Sequence, residues 1–191
     1  MFNIFSKRRH LMEPALDLYT TVVEQARHPF FYTEAGVPDT PDGRYDMIMI
    51  HAFLLLQRLK DDHPDLEPLG QAFFDLMFDD MDKNLREMGA GDVGIGRRIK
   101  EMAGAFYGRI AAYETGLRSQ DNSLEDALER NVYRNSSPKP ADISILANYM
   151  RAQSAYLRTQ ARDQLAAGQL RFKTPSADLP ETAGPAESDI Q

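Results

Sequence analysis

A single all-α bundle of about six helices is the fold class this sequence predicts, and three observations predict it. Apolar residues recur three and four positions apart over six successive stretches, the spacing that gathers one face of a helix. No stretch shows the convincing two-residue alternation of a half-buried strand. Prolines fall between the periodic stretches or in their first turns, where a helix tolerates them. A chain of 191 residues, 42% of them hydrophobic, can bury one sizeable core, and no second core is expected.

The first helix is predicted over residues 10–27, with Leu11, Ala15, Leu18, Tyr19, Val22 and Ala26 on one stripe and Pro14 in its first turn. His28-Pro29 ends it, because a residue before proline is pushed out of the helical region. The next segment, residues 29–41, reads as a loop. Its Phe30, Phe31 and Tyr32 are expected to close onto the core, since exposed apolar clusters are uncommon without a function. Thr40 and Pro41 supply a cap and first position for the second helix, which runs to about residue 61. Tyr45, Ile48, Met49, Ala52, Leu55, Leu56 and Leu59 form its stripe, but Met47, Ile50 and Leu54 are apolar as well. Most of its circumference must be covered, which makes it the central helix, and His51 reads as a hydrogen-bonded core histidine.

The third helix is predicted over residues 65–88, with Leu69, Phe73, Leu76, Met77, Met81, Leu85 and Met88 inward. Gly89 and Gly91 terminate it, glycine being the residue that best tolerates a left-handed end position. A fourth helix follows over residues 94–117 on Ile95, Ile99, Met102, Phe106, Ile110 and Tyr113. Ser123 with Asp126 forms a capping-box-like start for the fifth, which is expected to end near residue 135. The sixth runs over residues 140–167, with Ile143, Leu146, Met150, Leu157 and Leu165 inward and Gly168 as its stop. The domain boundaries are therefore a short arm at 1–9, a helical body at 10–172 and a tail at 173–191. The tail combines Pro175, Pro180 and Pro185 with acids and small residues, which bury too little apolar surface to offset ordering entropy, so it is predicted to be disordered.

A formal charge of −7 argues against nucleic acid, whose phosphates need a basic face. The absence of cysteine excludes disulfides, thiolate metal sites and a cysteine nucleophile, and fits a reducing compartment. The longest apolar run, residues 47–56, is about half the ~20 residues a spanning helix needs. No secretory signal or long Arg-rich presequence is evident at the N-terminus, so a cytoplasmic location is expected. Phe2, Ile4 and Phe5 precede Lys7, Arg8 and Arg9, an apolar wedge beside three cations. It reads either as a frayed terminus or as a weak contact with an anionic membrane surface.

No motif for catalysis emerges. Residues 89–94, GAGDVG, match a dinucleotide-binding fingerprint by letter, but that loop requires a preceding strand and here a helix precedes it. None of His10, His28, His51 or His63 follows a Glu by three residues, so the pairing of a bundle-type dinuclear metal site is missing. No cofactor is expected.

Charge and small residues are nevertheless organised. Asp75, Asp79 and Asp82 are spaced four and three apart and Arg86 lies four further on, so all four line one helix face. They form a solvated row or a docking row. Residues 60–82 carry eight acids and one base, whereas residues 83–109 carry six bases and three acids. Arg97, Arg98 and Lys100 sit near a helix start, where the macrodipole disfavours cations, so the preceding acidic helix or an outside partner must supply negative charge. Gly104, Gly108 and Ala112 form a line at spacing four that admits a close helix, either inside the fold or from another protein.

Three strings are long and specific: VPDTPDGRYDMIMIHAFLLLQRLK at residues 37–60, FDLMFDDMDKNLREMG at 74–89 and GDVGIGRRIKEMAGAFYGR at 91–109. Through them residues 16–117 resemble the ubiquinol-cytochrome c chaperone family, helical assembly factors for the respiratory bc1 complex. The resemblance implies a non-catalytic protein that holds newly made cytochrome b until it is assembled. It also favours the docking reading of Asp75, Asp79, Asp82 and Arg86, which lie inside the most specific string. Without a presequence the chain resembles a bacterial member, with peripheral contact at the cytoplasmic face of the inner membrane as a further expectation. A helper subunit is left open. Apart from the resemblance, a generic helical adaptor fits the residues equally well, and a small-molecule enzyme would need a pocket of titratable groups for which no motif is present.

Overall fold

The computed structural model describes residues 3–87 and 92–177, and among these it contains helices and no strand. The helices are α1 (Asn3–Ala26), α2 (Phe30–Thr33), α3 (Pro41–Asp62), α4 (Glu67–Glu87), α5 (Asp92–Arg118), α6 (Ser123–Asn131), α7 (Pro140–Leu157) and α8 (Arg162–Ala166). The six predicted helices correspond to α1 and α3 to α7. The predicted stops at Gly89 and Gly91, the end of the arm at residues 1–2 and the tail beyond residue 177 lie outside the described residues.

α3 is the hub. Met47, Met49, Ile50, Ala52, Phe53, Leu54 and Leu55 are all buried, so apolar contact surrounds the helix on every side. It touches α1, α4, α5 and α7, while α1 packs along α4, α4 along α5, α5 along α6 and α6 along α7. Thr40 starts α3 as expected: its hydroxyl accepts the Gly43 N–H at 3.1 Å and Pro41 occupies the first turn. The aromatic segment also behaves as expected, with Phe30 and Phe31 buried in the one-turn α2. The Tyr32 hydroxyl donates to the carbonyl of Ala26.

Three boundaries and one cap differ from the sequence expectation. α1 begins at Asn3, so the N-terminal arm is helical and Pro14 lies in the interior. The carbonyl of exposed His10 loses its intrahelical donor there but remains open to water. α6 starts with Asp121 as the capping group, whose carboxylate accepts from both the backbone N–H and the hydroxyl of Ser123; Ser123 itself does not cap. α6 also stops at Asn131, because Tyr133 turns inward to donate its hydroxyl to the carbonyl of Ala35 at 2.5 Å. The predicted sixth helix is broken into α7 and α8. Buried Arg58 of α3 donates to the carbonyls of Leu157 and Gln160 at 2.8 and 2.9 Å, satisfying groups that a helix end leaves without partners.

Gly168 ends α8 with φ of +78°. The chain then runs extended across the bundle, with Leu170 and Pro175 buried and Phe172 half-buried. Lys173, assigned to the tail by sequence, is held by Gln153 through both its N–H and its carbonyl. Packing therefore extends past the expected boundary.

Candidate partner-binding face

α4 and α5 form a helical hairpin joined by aromatic contact. Phe74 and Phe78 of α4 meet Phe106 and Tyr107 of α5, with ring centroids 5.9 Å apart for Phe74–Phe106 and 5.7 Å for Phe74–Tyr107. Such pairs contribute about 1 kcal/mol each beyond the area they bury. Phe106 and Phe78 are buried, whereas Tyr107 remains 60% exposed, the most exposed of the large apolar side chains among the described residues. α5 is anchored further along by Tyr113, which packs on Phe53 of α3.

The acidic row lies on the outer face of α4. Asp75 and Asp79 are exposed; Asp75 accepts from Gln71 at 2.6 Å, and Asp82 pairs with Arg86 at 2.6 Å. Arg97 pairs with Glu101 of its own helix at 3.6 Å, both side chains being largely exposed, and the side chain of Arg98 lies outside the described residues. Each of these pairs stays within one helix, so the charge contrast between α4 and α5 does not express itself in them.

Gly104 and Gly108 are exposed, and a Cβ built at either would meet no atom within 4 Å. Internal packing is therefore not the reason for glycine at these positions. The same line of small residues is used inside the fold one turn beyond Ala112: a Cβ at Gly116 would lie 2.6 Å from Cα of Leu124, so only glycine lets α5 and α6 approach. Gly116 escaped the sequence reading although it continues the four-residue spacing. Together Gly104, Gly108, exposed Ala111 and Tyr107 make an open, weakly polar strip on α5.

Two buried polar clusters hold the hairpin's supports in place. Asp46 of α3, 2% exposed, accepts from Arg109 of α5 at 2.6 Å and from Arg134 after α6 at 2.5 Å. Burial raises its carboxyl above the usual range, while the two guanidinium groups oppose that shift. An acid between Tyr45 and Met47, at the edge of the apolar run of α3, was the available signal, since a buried carboxylate needs a cation.

The second cluster surrounds His51. Its Nδ1 lies 2.7 Å from the carbonyl of Met47, which can only accept, so Nδ1 carries the proton. Nε2 then accepts from the Tyr149 hydroxyl at 2.7 Å, and that oxygen accepts from Gln25 at 2.9 Å. Burial lowers the His51 pKa to about 4, so the ring is neutral. It is the hydrogen-bonded core histidine that the sequence suggested. Among the described residues no group of three or more His, Asp or Glu side chains is placed to hold a metal ion. No helix among them is long and apolar enough to cross a membrane.

Comparison with known proteins gives the geometry a context. A family model described as ubiquinol-cytochrome C chaperone matches residues 33–172. The chain is 26% identical over 160 residues to the ubiquinol-cytochrome c reductase complex assembly factor 1 of Mus musculus, covering 83% of this chain and 54% of that protein. It is 27% identical to the protein of that description from Xenopus laevis, covering 83% of this chain and 80% of the relative. The crystal structure of the Cbp3 homolog from Brucella abortus superposes with a TM-score of 0.78 at 37% identity, over 90% of this chain and 95% of that one. The chain thus spans about half the length of the mouse relative it matches.

Proposed function

The chain belongs to the ubiquinol-cytochrome c chaperone family, and we propose that it is a non-catalytic assembly chaperone that binds unassembled cytochrome b and supports assembly of the bc1 complex. The observation that carries the reading is the open strip of α5. Glycines that no neighbour requires cost helix stability, roughly 1 kcal/mol each relative to alanine. Here they flatten a surface beside an exposed tyrosine that stands on a rigid aromatic hairpin. Such a strip suits the apolar side of another helix, which can approach its backbone closely. A cytochrome b helix awaiting its haems and partner subunits exposes such a side, and covering it lowers the concentration free to aggregate. Asp75, Asp79, Asp82 and Arg86 of α4 and Arg97 and Arg98 of α5, charged residues of the two helices that build the hairpin, set partner choice and association rate rather than affinity.

Peripheral contact with the cytoplasmic face of the inner membrane is the second element of the proposal. It is supported by Met12 and Leu16, 46% and 51% exposed and one turn apart on α1, the helix that also carries the basic residues Lys7, Arg8 and Arg9 in sequence. The test of the whole reading is a deletion strain. Loss of cytochrome b and of bc1 activity with the transcript intact is expected; normal cytochrome b levels would refute it. Within that strain, Tyr107→Ser and Gly108→Leu variants are expected to accumulate as folded protein and fail to restore cytochrome b.

A further inference from the structure

The outward side of α5 is a seam. Arg97, Glu101, Gly104, Gly108, Ala111, Thr115 and Arg118 are all exposed, and the intervals between them alternate strictly between four and three residues. That is the spacing by which one helix meets another in a left-handed pair, each side chain entering a space between residues of the facing helix. The middle of the seam is small and asks for nothing polar: Ala111 adds only a methyl group to the two glycines, and the Thr115 hydroxyl is already used, donating to the carbonyl of Ala111 at 2.9 Å. Opposite charges bracket this middle, Glu101 before it and Arg118 after it, ~25 Å apart along the helix axis. Neither is firmly held. Glu101 lies 3.6 Å from the exposed Arg97, and Arg118 lies 3.9 Å from Asp61; contacts between side chains this exposed contribute little and re-pair at little cost.

An apolar client helix covers the middle of the seam and leaves the charged residues unused. A second α5 uses both. When two such helices run antiparallel with their seams in register, Glu101 of each copy faces Arg118 of the other, Gly104 faces Thr115 and Gly108 faces Ala111, every contact occurring twice about a two-fold axis. Sliding either helix by one heptad takes Glu101 off Arg118 at both ends, so charge selects this register. The antiparallel direction also sets the two helix dipoles head to tail. We propose that the seam is an interface between two copies of this chain, paired through α5 in this antiparallel register. One helix from each copy supplies less than the roughly 800 Å² per partner of a standard stable interface, so the pair is weak and exchanges readily. Pairing goes beyond the client reading and stands without it. Where that reading also holds, the free chaperone keeps its strip covered by a second copy, and a client helix takes that copy's place.

The chain has no cysteine, so introduced thiols report alone. Gly104→Cys and Thr115→Cys, both at exposed positions, are made as separate full chains, one carrying a longer tag, and mixed in equal amounts in a glutathione redox buffer. In the proposed register two copies of residue 104 lie ~16 Å apart along the axis, as do two copies of residue 115, beyond the ~7 Å between Cα atoms that a disulfide spans. The mixed disulfide is therefore expected to exceed either like-with-like product by about tenfold. Sedimentation velocity over a concentration series supplies the second measurement. Glu101→Arg and Arg118→Glu, which place like charges together, are each expected to weaken self-association about tenfold, and the chain carrying both changes is expected to recover it. A wild-type chain that stays monomeric to its solubility limit, like-with-like disulfides as abundant as the mixed one, or a double exchange that fails to restore association overturns the proposal. A chain that pairs in this way yet does not restore cytochrome b refutes the client reading and leaves the pairing intact.

Discussion

Acid should weaken this fold through His51, and the size of the effect follows from its surroundings. In the unfolded chain an imidazole titrates near ~6.5. In the native core it is held at about 4, because a buried cation has no compensating charge and the Met47 carbonyl compensates only in part. Between these values the unfolded state binds a proton that the folded state refuses, so stability falls as pH falls through the window. From pH 7 to pH 5 the loss works out at about 2 kcal/mol, approaching ~3 kcal/mol near pH 4. Asp46 acts in the opposite sense. Its raised carboxyl takes up a proton in the folded state first, which adds stability as pH falls toward the ordinary carboxylate range. A comparison that cancels this contribution is therefore needed. Urea unfolding followed by circular dichroism at pH 7, 6 and 5, on wild type and on His51→Gln, supplies it. Glutamine does not titrate and still offers Tyr149 an acceptor. Wild type is expected to lose about 2 kcal/mol more than the variant between pH 7 and 5; parallel losses would refute the assignment of a neutral, uncompensated His51.

Two glycines on one helix should respond to alanine with opposite signs. Gly108→Ala is expected to raise stability by about 0.5–1 kcal/mol through helix propensity, and Gly116→Ala to lower it by about 1–3 kcal/mol through the clash with Leu124; thermal melts of both check the pair. Asp46→Ala leaves Arg109 without its buried anion and Arg134 with only the exposed Asp42 at 3.7 Å, for an expected loss of about 3 kcal/mol in urea unfolding. Deleting residues 2–9 is expected to reduce co-sedimentation with anionic vesicles while leaving the helical signal of the body near wild type.

The helix faces were legible because they depend on local spacing. Leu69, Phe73, Met77, Met81 and Leu85 are buried as their four-residue intervals required, and the near-total burial of α3 followed from apolar residues on every side of it. What escaped the sequence depends on distant partners. No local signal marks the break after Leu157, since Arg58, 99 residues earlier, satisfies the carbonyls that the break frees. The extended segment after Gly168 looked like the approach to a tail because its partners are glutamine side chains on other elements. The candidate site was half visible. Periodicity placed Asp75, Asp79, Asp82 and Arg86 on one face and aligned Gly104 with Gly108, but both internal packing and an open surface satisfied that spacing. Empty space around the two glycines separates the readings.

The most direct measurement is recovery of the client. Affinity purification of the full chain from cells blocked in bc1 assembly, under detergent, should bring down cytochrome b, and the Gly108→Leu chain should bring down at least tenfold less at equal abundance. Recovery of cytochrome b undiminished by Gly108→Leu would contradict the α5 strip as the docking face, and its absence from the wild-type purification would contradict the client itself.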